Sequence, residues 1–163
     1  MRSITFISAM LVALPASAEE IVACYARDYS DAHLQANPAQ VVDQMVLSVI
    51  DFGSEINMQV AALVADQGHA KGTPQAGQWL DQGLYCYGNT AVSVGMTCAV
   101  ECDGGVMEIA KFSSDGLTFR TTYLTIGDAD ECGGSMELAE EVGKPTLYRL
   151  NKTDIAICEG RFE

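Results

Sequence analysis

The sequence predicts an all-β domain, an antiparallel β-barrel or β-sandwich of about eight short strands stapled by disulfides, with at most one or two short helices. Three observations predict it. Apolar residues recur with period two in several segments, turn-forming residues separate those segments, and all six cysteines lie beyond Ala18. Half-buried alternation of this kind fits antiparallel better than parallel sheets, because one face meets the core and the other meets water.

The elements follow in order. Residues 21–26 are a first β-rich run. Residues 38–52, "PAQVVDQMVLSVIDF", carry two signals. Asn37 before Pro38, with Gln40 behind, would start a helix, whereas the β-branched Val41, Val42, Val46, Val49 and Ile50 favour a strand; the strand is preferred. Ile56, Met58, Val60, Ala62 and Val64 form one face of residues 56–65. Strands are expected at 80–87 and 96–102. In the latter, Met96, Cys98, Val100 and Cys102 share the core face, and Thr97, Ala99, Glu101 and Asp103 share the solvated one. Runs 106–112 and 117–124 flank Ser113-Ser114-Asp115-Gly116, a hairpin signal, and 146–150 is the last strand. One short helix is expected at 136–142, capped by Ser135 and ended by Gly143 and Pro145.

The first 18 residues read as a secretory signal ahead of a single domain at 19–163. Met1-Arg2-Ser3 is a short positive start, Ile4–Leu14 an apolar run too short to span a bilayer, and Ala16-Ser17-Ala18 a small-residue cleavage site. The chain is therefore expected to be exported, to the periplasm of a Gram-negative host and otherwise to the medium. Ile21-Val22-Ala23-Cys24 resembles a lipobox, but Glu19 and Glu20 separate it from the apolar run. Lipidating Cys24 would also leave five thiols, an odd number, in an oxidising compartment. A soluble chain starting at Glu19 is preferred to a membrane anchor.

Export makes disulfides the expected state of the cysteines; C-x-x-C is absent, and His33 and His69 are too far apart to complete a zinc set. No metal and no cofactor are expected. If 80–87 pairs with 96–102, Cys86 falls opposite Cys98. Cys24 and Cys158 lie near the mature termini and can tie the domain closed, which leaves Cys102 with Cys132.

The whole chain carries 22 acids and 9 bases, a formal charge of −13. Removing residues 1–18 takes away only Arg2 among the charged groups, giving −14 for the mature chain. Such a balance opposes nucleic acid and anionic lipid and suits a basic protein partner. The most acidic stretch is "DADECGGSMELAEE", residues 128–141, in which Asp128, Asp130, Glu131, Glu137, Glu140 and Glu141 are candidate partner or cation contacts. Asp128, Asp130 and Gly133 match the start of a calcium loop, but Cys132 and Ala139 stand where further oxygen ligands belong.

No catalytic residue is assigned. Gly133-Gly134-Ser135-Met136-Glu137 lacks the final glycine of a nucleophile elbow, and Ser30, Asp31 and His33 are too close in sequence to form a triad. Trp79, Tyr85 and Tyr87 cluster around Cys86 and are candidates for a ligand mouth. The reading these features favour is an exported non-catalytic binding module for a small ligand or a basic protein, with an inhibitor-like role as one form of it. A hydrolase using Glu101, Asp103 and Asp130 is one alternative, and a structural envelope protein another. An interior cavity separates a carrier from the rest, since a carrier needs one.

Overall fold

The computed structural model describes residues 20–127 and 134–162. The leader read at 1–18 and the candidate residues Asp128, Asp130, Glu131 and Cys132 lie outside the described residues. The elements are β1 (Glu20–Asp28), α1 (Asp31–Ala36), β2 (Val42–Asp51), β3 (Ile56–Val64), β4 (Trp79–Tyr85), β5 (Thr97–Ala99), β6 (Gly105–Ser113), β7 (Gly116–Ile126), β8 (Met136–Glu137), β9 (Thr146–Thr153) and α2 (Ile155–Phe162). All strand pairs are antiparallel. They run β6-β5-β4-β3-β2-β1-β9-β7, and β6 pairs with β7 to close an eight-stranded barrel, with β8 added on β7. The barrel form of the expected fold class is therefore the one adopted.

Period-two alternation decides what fills it. Met45, Leu47, Met58, Ile109, Phe119, Leu124 and Tyr148 are all buried in one core, and Phe119 and Tyr148 pack ring to ring at 5.3 Å. Residues 38–52 resolve as a strand because Val42, Met45, Leu47 and Val49 join that core. Four grooves of about 500, 480, 320 and 270 Å³ are lined largely by outward-facing strand residues and lie on the outer wall.

Two disulfides pin the closure. Cys24–Cys158 ties β1 to α2 with Cα atoms 5.8 Å apart, and Cys86–Cys98 joins the ends of β4 and β5 at 4.2 Å. The β4–β5 pairing is the single bridge Tyr85↔Ala99, which sets Cys86 opposite Cys98. Cys102 is disulfide-bonded as well.

Several expectations change. Cys102 does not share the core face with Cys98: β5 stops at Ala99, and Cys102 sits exposed in the following turn at φ 59°. Glu101 and Asp103 belong to that same exposed turn, not to a strand face. Residues 136–142 are not helical. Met136–Glu137 pair with Thr125–Ile126 as β8, and Met136, Leu138 and Ala139 are buried against the barrel end. Tertiary burial and strand pairing outweigh a short, locally capped helix signal.

The helices lie elsewhere. Ser30 caps α1 by accepting a bond from the His33 amide at 3.3 Å, and Asp31 favours the positive end of its first turn. Pro38 follows the Asn37 C-cap and excludes α backbone there. α2 crosses the outer wall, where Cys158 packs with Cys24 and Val46 and is flanked by Ile21, Trp79 and Phe162.

Gly105 opens β6 at φ 89°, and a Cβ there would stand 2.0 Å from the Tyr123 carbonyl oxygen. Gly105→Ala is expected to cost about 3 kcal/mol from left-handed strain and backbone clash, measured by denaturant unfolding. An unchanged midpoint would show that the β6–β7 hairpin does not need this approach.

Candidate functional site at the acidic end of the barrel

One end of the barrel is built by the β1–α1–β2 connection, the loop after β3, and residues 134–145. Gln67 fastens α1 there: its Nε2 donates to the carbonyls of Leu34, Asn37 and Gln40 at 3.4, 3.0 and 2.8 Å. His33 Nε2 lies 2.9 Å from Gln40 Oε1, and the His33 ring is 4.9 Å from that of Tyr29. Arg27 lies 5.4 Å from the Tyr29 ring centroid.

Segment 134–145 is held from below. The Tyr148 hydroxyl donates to the Leu138 carbonyl at 2.7 Å, and His69 Nε2 lies 3.0 Å from the Ala139 carbonyl oxygen. A carbonyl only accepts, so His69 carries its proton on Nε2 in this bond. The Glu140 amide donates to Thr146 Oγ1 at 2.9 Å. Burial pushes the Tyr148 phenol well above its ordinary value, with the Glu140 charge adding to it.

Carboxylates ring this end. Burial raises the Glu140 carboxyl, the neighbouring Glu141 raises it further, and His33 acts the other way. Burial also raises Asp43, reinforced by repulsion from Asp31 and Asp28. Glu141 is exposed and ion-paired with Lys144, and Glu137 is half-buried on β8. The structure thus places Glu140 and Glu141, near His33 of α1, at the same end of the barrel as three acids, Asp28, Asp31 and Asp43, that the sequence reading did not single out. Their signal was present in "DYSDAHLQANPAQVVD", residues 28–43, where a capped helical turn sits between two acidic strand ends.

The raised pKa of Asp43 means that its charged form opposes folding. That cost is absent below the unfolded carboxylate pKa and is fully present once pH exceeds the raised folded value. Asp43→Asn is expected to raise the thermal midpoint at neutral pH and to give no gain below about pH 4. Calorimetry across pH checks this, and a gain of equal size at acid pH would contradict it.

The aromatic trio does not form a mouth. Trp79 and Tyr85 sit at opposite ends of β4 and face outward. Trp79 lies under Arg161, 3.7 Å from ring centroid to guanidinium carbon, while Tyr85 stacks on Tyr87 at 5.9 Å. The Glu101 charge raises the Tyr85 phenol, followed by partial burial and a hydrogen bond to Glu101. Glu101 is thus engaged with a surface tyrosine.

The class these features define is a closed, disulfide-stapled antiparallel β-barrel with a packed core and an acidic end. Comparison with protein-family models, curated proteins and solved structures finds no match for the chain.

Proposed function

We propose that the protein is an exported, non-catalytic binding module that engages a basic protein partner through the end carrying Asp28, Asp31, Asp43, Glu140 and Glu141. The observation that carries this reading is geometric: α1 folds between β1 and β2 and brings Asp28 and Asp31 close enough to the half-buried Asp43 for their charges to act on it. A lysine or arginine side chain brought among them relieves that repulsion, so binding recovers a cost already present in the free protein. The packed core favours a partner met at the surface over a small ligand carried inside. The disulfides suit an oxidising compartment, in line with the leader read at 1–18.

Photo-crosslinking in the native host tests it. A photoreactive residue at Gln35, exposed on α1, is expected to give a covalent adduct with a basic protein, and one at Ser54 on the opposite end is not. The adduct should fade with added salt and disappear in an Asp28→Asn, Asp31→Asn, Asp43→Asn variant. Absence of an adduct from Gln35, or one indifferent to salt and to these substitutions, contradicts the reading.

A further inference from the structure

One valine stands almost wholly in water at the tip of a turn. Residues 141–144 form a tight turn, closed by the Lys144 amide donating to the Glu141 carbonyl at 3.1 Å and by an ion pair between the two side chains. Gly143 takes φ 72°, a backbone suited to glycine, and Val142 occupies the tip, 95% exposed. The turn springs from a pinned base. The Glu140 amide donates to Thr146 Oγ1, and the carbonyls of Leu138 and Ala139 are bonded by Tyr148 and His69. Val142 is therefore a fixed apolar knob at a place where turns favour polar residues.

Three residues after the knob, Pro145 borders a groove of about 320 Å³ on the outer wall of β6 and β7, lined also by Val106, Glu108, Arg120, Thr121 and Thr122. The register sets two more apolar side chains beside it. Val106 pairs with Tyr123, each 45% exposed, and Arg120 pairs with Leu147 of β9, 59% exposed. Val106, Tyr123, Val142 and Leu147 are four of the twelve exposed large apolar side chains among the described residues, so this corner of the barrel concentrates them. On the β1–β2 wall the outward Cys24 and Val46 are covered by α2, whereas here the apolar groups face water. The charges of the corner cancel. Glu108 is paired with Arg120 and Glu141 with Lys144, two acids with two bases, in a chain of formal charge −13. A neutral, apolar corner of so acidic a molecule is where a second copy meets the least repulsion.

We infer that this corner is the contact of a two-fold dimer, in which Val142 of each copy enters the groove of the other. The occupant follows from the juxtaposition of knob and groove. A two-fold interface uses one patch twice, so both halves of the contact must lie side by side on a single chain. Here they do, with Glu141 beside the knob and Arg120 in the groove. A two-fold axis passing between them sets each Val142 against Val106 and Pro145 of the other copy and turns each Glu141 towards the other copy's Arg120. The patch is small, so the dimer is weak, with a Kd of about 10–100 µM. The inference does not rest on the basic partner proposed above, although Glu141 borders both surfaces.

Sedimentation equilibrium of the exported protein over about 5–500 µM brackets that range. It is expected to show passage from monomer to dimer and no further, with added salt tightening the dimer by screening the repulsion between two negative chains. Val142→Asp, at an exposed position, should dimerise at least about tenfold more weakly, because the dimer would bury an unpaired carboxylate, while its circular dichroism and thermal midpoint stay unchanged. Val106→Lys, which obstructs the groove, should do the same. Mixed in equal amounts, the two variants regain one native contact and set their introduced charges, of opposite sign, against each other in the second. The mixture should therefore pair more tightly than either variant alone. If Val142→Asp fails to fold, Val142→Ser makes the same test. A protein monomeric throughout, a dimer that salt dissociates, growth beyond the dimer, a folded Val142→Asp that dimerises like the unaltered protein, or a mixture no tighter than its components would each overturn the inference.

Discussion

Replacing Cys24 and Cys158 together by alanine is expected to lower the unfolding free energy more than any other change considered. The two cysteines are 134 residues apart in a chain of 163. In the chain-entropy model a loop of that size is worth about 5 kcal/mol, against about 3 for the 12-residue separation of Cys86 and Cys98. The loss has a local part too. α2 is eight residues long, too short to hold its shape alone, and Cys158 is its one buried residue. Without the bridge α2 should leave the wall, uncovering Val46, Ile21 and Trp79. Guanidinium unfolding of the double variant checks the magnitude, and hydrogen exchange of residues 155–162 checks the release. A loss under about 1 kcal/mol, with α2 still protected, would mean that apolar contact alone holds the helix.

Phe119→Ala is the second large effect. The ring is fully buried within β7, whose neighbours across the sheet are Ile109 and Tyr148. Truncation removes its transfer free energy and leaves a void that eight hydrogen-bonded strands close poorly, so about 3–5 kcal/mol is expected. The thermal midpoint should fall by about 10 °C or more. Scanning calorimetry measures both. A loss below about 1 kcal/mol would show that the interior holds free space, and would favour a carrier over a surface-binding module.

The strands were legible because a barrel wall with a solid interior imposes period two wherever a strand crosses it. Ile56 to Val64 shows that rule most directly, with Ile56, Met58, Val60, Ala62 and Val64 in the core. The rule fails where a strand is shorter than its pattern. Met96, Cys98, Val100 and Cys102 alternate correctly, yet the hairpin closes at Ala99↔Val106 and leaves Cys102 in a turn. It fails again where something covers the outer face. Ser48, polar and opposite Cys24 on the outer face of β2, is fully buried with its hydroxyl unpartnered. α2 itself is hard to read, since Gly160 weakens it and its packing is fixed by a partner more than 130 residues away.

The candidate site was half legible. The acidity of 137–141 stands in the sequence, whereas Asp28, Asp31 and Asp43 become one group only when α1 folds between β1 and β2. Trp79 was hard to place from the sequence because its partner, Arg161, comes from the far end of the chain.

The central claim is that a stapled barrel with a filled core works from its outer surface after export. A native mass spectrum of the protein recovered from its host, resolved finely enough to count hydrogens and bound molecules, tests this most directly. The account predicts a chain beginning at Glu19, six hydrogens lighter than its reduced form and free of any retained small molecule. A stoichiometric small molecule carried through purification, or a diacylglyceryl chain beginning at Cys24, would contradict it.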